Sequence, residues 1–265
     1  MTIGERIALV LLGLVTAIVF AVLYAPVVIS ALFSVVSLDH GVIDWSGATL
    51  HWYADLARNE SVLSALGNTA IVAGGAVVLA LVLACAIAIY AQRDDALFPD
   101  FIEFVVFMPF LLPPIVTGLS LLITFDELGI QRGILTIMAG HTVFVLALVY
   151  RTILVRLKAM SRSWFEASGD LGATPFQTFR YVTLPQLKSA LITSALLALT
   201  LSFDETLITI FLSGDTTTLP LRLWAMMRVG FTPEINALVT LVLLASICMA
   251  VIAALLMKPQ RESME

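Results

Sequence analysis

Six long stretches of this chain carry almost no charge, at about 7–30, 63–90, 104–124, 134–150, 190–212 and 235–257, and short polar segments separate them. A helix rises about 1.5 Å per residue, so about 20 apolar residues cross a hydrocarbon layer of roughly 30 Å. The pattern predicts six transmembrane helices, with tilt and interfacial ends covering the shorter fourth run. The third run contains Pro109, Pro113 and Pro114, each of which removes a backbone donor and crowds the preceding turn. A kink or partial unwinding is expected there, facing protein or water because lipid cannot satisfy freed backbone groups. Ala70, Gly74 and Gly75 in the second run favour close helix packing.

Composition agrees with the pattern. The chain is 60% hydrophobic and 12% charged, against about half apolar and a quarter charged in soluble domains. It reads as an all-α membrane protein, one domain over residues 1–265. A formal net charge of −5 with no dense basic patch excludes a nucleic-acid partner. Cys85 and Cys248 each lie in an apolar run without metal-ligand or redox spacing, so they read as small core residues. The first run exceeds a signal-peptide core and reads as an uncleaved anchor. No internal repeat or low-complexity linker is visible.

With both termini in the cytoplasm, Arg6, Arg93, Arg151, Arg156, Lys158, Arg162, Arg180, Lys188, Lys258 and Arg261 fall inside, and Arg58, Arg132, Arg222 and Arg228 outside. That bias satisfies the positive-inside rule. Trp45, Trp52 and Tyr53 then lie in the first outer loop, where amphipathic rings anchor at the membrane surface and a soluble partner could also be met.

The longest inner segment, 156–187, is organised beyond the needs of a connector. Ser163 followed by Glu166 reads as a capping box, Gly172 as a left-handed helix stop, and Thr174-Pro175-Phe176-Gln177 as a second N-terminus closed by its own box,. Leu184-Pro185 is expected to end this second helix. Leu171, Phe176 and Phe179 are apolar groups on a water-facing loop, and they call for a protein partner or for packing against the chain's own helix ends.

Glu166-Ala167-Ser168, three residues, Gly172, nine residues and Val182-Thr183-Leu184-Pro185 together resemble the EAA loop of binding-protein-dependent ABC import permeases. The spacing fits without a gap, and Ser168 and Val182 stand where the family pattern has Ala and Ile. Softer motifs extend the resemblance along nearly the whole chain to the spermidine/putrescine permeases: Gly67-Asn68-Thr69, Leu128-Gly129-Ile130, Ser202-Phe203-Asp204-Glu205, Leu219-Pro220-Leu221 and Pro233-Glu234-Ile235-Asn236-Ala237. Permeases for aminoethylphosphonate, opines or ferric iron share several of them. The resemblance implies a type I ABC importer permease (MetI-like) architecture in a bacterial inner membrane. It also implies a second permease subunit, two ATPase subunits that bind ATP and magnesium, and an extracytoplasmic substrate-binding protein. In that family the loop docks on the ATPase, a role that falls here on Glu166, Ala167, Asp170, Leu171, Gly172 and Phe176.

The fifth run carries Asp204 and Glu205, and a charge at membrane depth costs roughly 2.5–3.5 kcal/mol on insertion scales. Ser194, Ala198, Ser202, Glu205, Thr209 and Ser213 form one stripe at helical spacing, which should face a cavity or another subunit. The acids form a translocation path for a polyamine cation or a structural or gating pair. His141 reads as an interhelical bond rather than a proton relay, and Asn68 as a cap or interhelical contact. No phosphate-cradling loop, zinc-protease motif or nucleophile elbow occurs, so the chain reads as a transport subunit without catalytic residues, cofactor or metal of its own. The rival readings are an importer permease for another small amino-compound, such as aminoethylphosphonate, an opine or GABA, and an ion-coupled secondary transporter.

Overall fold

In the computed structural model, residues 3–39, 42–93, 95–230 and 232–256 are described. The first apolar run folds as α1 (Ile3–Phe33), followed by a hairpin of β1 (Ser37–Asp39) and β2 (Val42–Asp44), a tight turn and α2 (His51–Leu56). The second run forms α3 (Glu60–Ala91), and the proline-rich third divides into α4 (Pro99–Leu111) and α5 (Pro114–Glu127). The fourth forms α6 (Ile134–Lys158), and the inner segment carries α7 (Arg162–Asp170) and α8 (Pro175–Thr178). The fifth run yields α9 (Leu184–Phe203) and α10 (Leu207–Leu212), and the chain continues through α11 (Leu219–Val229) into α12 (Pro233–Leu256). Met257, the end of the sixth run, and the cations Lys258 and Arg261 lie outside the described residues.

Among the described residues, four helical stretches are long and apolar enough to cross a membrane: α1, α3, α6 and Pro175–Phe203. The α4–α5 pair adds a fifth if it is counted as one span, bent by 107°. The sixth expected span corresponds to α12, whose apolar stretch Pro233–Cys248 is shorter than the others. Among the described residues, the hairpin holds the only strands and the other elements are helices.

The bend at the prolines is sharper than a kink, and its cause is local. Leu112 and Pro113 each precede a proline, which pushes both out of the helical region, and their ψ values are 145° and 136°. Pro113 cannot donate to the carbonyl of Pro109, and the Thr117 hydroxyl donates to it at 3.4 Å instead. A side chain thus replaces a backbone donor that lipid could not supply.

Two compact units divide the chain. The smaller comprises the segment up to Leu63 with Leu223–Ser246. Within it, Tyr53 shares a 2.6 Å hydroxyl bond with Ser34, Ser30 donates to Asn236 at 3.3 Å, and Asn59 donates to Glu234 at 3.3 Å. Trp45 is exposed and Trp52 half-buried.

The larger unit comprises Ser64–Arg222 with the segment from Ile247. Its core is built on α6, which packs against α9, α4, α5 and α10 and buries Ile137, Val145, Val149, Tyr150, Ile153 and Leu154. Helix α3 carries a stripe of fully buried alanines, Ala73, Ala76, Ala80, Ala84 and Ala88, the last three of which join this core, the small-residue face that lets membrane helices approach closely. Of the three small residues singled out from sequence, only Gly75 meets a neighbour, Met138 of α6; Gly74 faces open space and Ala70 is exposed. Glycines on α5 and α6 leave room for α10. A Cβ on Gly118 would lie 3.1 Å from the Ile208 backbone, and one on Gly140 would lie 2.6 Å from Leu212 and 2.7 Å from Ile208.

Candidate functional site

The inner loop begins where α6 ends, and Ser161 rather than Ser163 starts α7. The Ser161 hydroxyl accepts from the Ser163 amide at 3.3 Å and pairs with the Ser163 hydroxyl at 2.7 Å. The expected Ser163–Glu166 box is therefore corrected: Ser163 lies inside the first turn, where its own amide needs the acceptor. Gly172 stops α7 as predicted, at a φ of +76°. The Gly172 amide donates to Gly169 and the Ala173 amide to Ser168, at 2.8 and 3.1 Å, so two carbonyls of the last turn are satisfied in the manner of a Schellman stop. Thr174 and Gln177 form the second box as expected, with bonds of 2.7 and 3.3 Å.

Leu184-Pro185 does not end the second helix. Residues Phe179–Thr183 form a π-helical turn that carries α8 directly into α9. Its wider winding spares the proline ring a clash with the carbonyl four residues earlier, so the helix passes through. Ser168, the departure from the family alanine, is buried and shares a 2.8 Å hydroxyl bond with Thr178, stapling α7 to α8. Arg156 clamps the base of the loop: its Nε donates to the Gln186 carbonyl at 3.0 Å and its Nη2 to the Gln186 side chain at 3.2 Å. Neither contact carries a sequence motif.

Glu166, Ala167, Asp170 and Gly172 are exposed on this loop, and Leu171 and Phe176 stand out at 88% and 72% exposure. Phe179, expected beside them, is half-buried. Glu166 lines a cleft of about 560 Å³ together with Arg93, Lys158 and Arg162 of the same chain. The surface is a pair of capped short helices that carry exposed large apolar side chains together with exposed carboxylates.

The fifth run is not the single helix expected. It breaks at Asp204–Thr206, and the break separates the two acids: Asp204 is exposed, whereas Glu205 is buried. The whole predicted stripe, Ser194, Ala198, Ser202, Glu205, Thr209 and Ser213, is buried, but the chain's own helices receive it. Glu205 Oε1 accepts from the Ile208 amide at 2.9 Å and caps α10, while its backbone carbonyl accepts from the Thr209 hydroxyl at 2.9 Å. The side chain thereby supplies the acceptor that an unbroken helix would have found in its backbone. His141 on α6 spans the break, its Nδ1 at 2.8 Å from the Ser202 hydroxyl and its Nε2 at 2.9 Å from that of Thr209. Asn68 and Thr69 hold the segment after α10: Asn68 donates to the Thr217 carbonyl at 2.9 Å, and Thr69 accepts from the Leu219 amide at 2.8 Å.

Residues 76–259 match the family model of the binding-protein-dependent transport system inner membrane component. The chain is 38% identical over 246 residues to the putrescine transport system permease protein PotI of Escherichia coli (strain K12), covering 90% of this chain and 85% of that one. It is 34% identical to the spermidine/putrescine transport system permease protein PotC of the same organism, with 92% of each covered. Among solved structures it resembles a chain of a bacterial ABC transporter that imports alginate, with a TM-score of 0.75, 16% identity and coverage of 96% of this chain and 98% of that one. It also resembles a chain of the MetNI methionine ABC transporter, with a TM-score of 0.62, 16% identity and coverage of 74% and 94%.

Proposed function

The chain belongs to the family of binding-protein-dependent transport system inner membrane components, the permease subunits of ABC importers, and from that premise we propose that its cargo is a polyamine, putrescine or spermidine. The observation that carries the cargo is the 38% identity to a putrescine permease over 90% of the chain. Asp204 adds chemical support, since an exposed carboxylate at the break of a membrane helix offers charge-assisted bonds to an ammonium group. Glu205 frames the gate by capping α10, and Asp204 faces the path.

The working complex contains a second permease, two ATPase subunits holding ATP and magnesium, and an extracytoplasmic binding protein. Both termini of this chain lie in the cytoplasm. Leu171 and Phe176 dock in an apolar groove of the ATPase, with Glu166 and Asp170 meeting its cations. Ala167 and Gly172 set the shape of the docked loop. The covalent path supports rigid-body transmission, because α7 follows α6 after a three-residue turn and α8 runs into α9 without a stop. The Arg156–Gln186 clamp holds those two long helices together at the base, so closure of the ATPase pair moves α6 and α9 as one lever.

Uptake of labelled putrescine and spermidine by cells carrying the complete system tests the reading, with this gene intact, deleted, or bearing Glu166→Ala. Loss in both altered strains is the expected result. Unchanged uptake on deletion overturns the polyamine assignment, and uptake lost on deletion but kept with Glu166→Ala removes the coupling role from that residue.

A further inference from the structure

The two hydroxyls that flank the break at Asp204–Thr206 belong to different helices, Ser202 to α9 and Thr209 to α10, and one imidazole from α6 reaches both. His141 and Thr209 are buried to 2% and 0% exposure and Ser202 to 1%, so no water competes for these bonds. Their directions follow from the neighbours. Thr209 commits its proton to the Glu205 carbonyl, so its oxygen accepts from Nε2–H of His141, and a neutral ring then accepts at Nδ1 from the Ser202 hydroxyl. The chain of bonds runs from Ser202 through His141 and Thr209 to the Glu205 backbone, entering and leaving the broken segment.

Both sides of the break pack on α6, and they differ in what they lead to. On the α10 side, Gly118 and Gly140 allow Ile208 and Leu212 to seat directly on α5 and α6. On the α9 side, the helix continues unbroken to the inner loop. A displacement of the loop therefore arrives at Ser202, and the hydrogen-bonded connection from there to α10 is His141.

We propose that His141 is a positioning residue for transport: by bonding α9 and α10 through its two ring nitrogens, it sets the geometry of the break and the placement of the exposed Asp204 carboxylate. The consequence for transport rests on the reading of Asp204 as path-facing; the geometric consequence does not.

The test uses the complete transporter in membranes, with Cys85→Ala and Cys248→Ala to remove background thiols and Thr206→Cys to place one in the break. The readout is the labelling rate by a small methanethiosulfonate reagent. His141→Leu is expected to change that rate by about tenfold, the factor for roughly one net hydrogen bond. His141→Gln, which can donate and accept, restores it to within about threefold of the parent if the bonds rather than the ring shape matter. Ser202→Ala and Thr209→Val each remove one end of the bridge and are read in the same way should His141→Leu fail to accumulate. An unchanged rate on loss of the bridge overturns the proposal, as does an equal change with His141→Leu and His141→Gln. Labelling needs no substrate. In the parallel uptake assay without the thiol at position 206, His141→Leu is expected to raise the KM for putrescine. A labelling change without uptake of any polyamine by the parent would sink the cargo assignment and leave the positioning role standing.

Discussion

Replacing Phe176 with alanine is expected to loosen the ATPase from the permease without unfolding either. The side chain is 72% exposed, which for an aromatic residue is about 110–180 Å² of apolar surface, equivalent to about 3–4.5 kcal/mol at ~25 cal/mol per Å² if a partner covers all of it. Ordering the ring on docking costs about 0.5–1.5 kcal/mol, and the alanine Cβ keeps a little of the contact. The net loss is about 1.5–4 kcal/mol, or about 10- to 900-fold in affinity. Retention of the ATPase subunits by the tagged permease through washing is the assay, with uptake at matched expression beside it. Leu135, 78% exposed at the opposite end of α6, provides the control, and Leu135→Ala is expected to leave ATPase retention unchanged. Full retention with Phe176→Ala, or equal loss with Leu135→Ala, would refute the docking role of this loop.

Substitutions at four further positions probe the broken helix and its supports. Glu205→Ala leaves the buried Ile208 amide without an acceptor and is expected to destabilise the transporter by about 1–3 kcal/mol, read as a lower midpoint in thermal size-exclusion; Glu205→Gln, whose amide oxygen still accepts, stays near the parent. Gly118→Ala sets a Cβ 3.1 Å from the Ile208 backbone, whereas the atoms meeting a Cβ at Gly140 are side-chain ends, so the first costs more, within the roughly 1–3 kcal/mol of overpacking, and the same melting assay ranks them. Thr69→Val removes the acceptor of the Leu219 amide and is expected to speed proteolytic cleavage within 214–218, measured on intact membranes.

Much of the loop is legible in the sequence. Gly172 and the Thr174–Gln177 box act through neighbours within four residues, and such contacts are carried by local spacing. Ser161 was missed because Ser163 and Glu166 also satisfy the box spacing, and only the backbone decides which serine lies outside the helix. Proline at 185 suggested a stop, but a π turn could relieve its clash at the cost of a few residues of irregular winding. The Ser168–Thr178 staple and the Arg156–Gln186 clamp join residues 10 and 30 apart; no pattern of hydrophobicity or capping marks them.

The sequence carries the membrane character, the order of the helices and the interruption at the prolines in its composition, periodicity and spacing, and the family in the resemblance of its inner-loop motif. It also placed the polar stripe of the fifth run on one face. The tertiary structure alone decided what that face meets. A break of three residues, which helical periodicity does not foresee, turned two adjacent acids in different directions and gave Glu205 the capping of α10 while Asp204 stayed exposed. Lipid cannot satisfy the backbone groups freed by such a break, so side chains close by in space must do so; His141 is 61 residues from Ser202 and 68 from Thr209, and only folding brings them together.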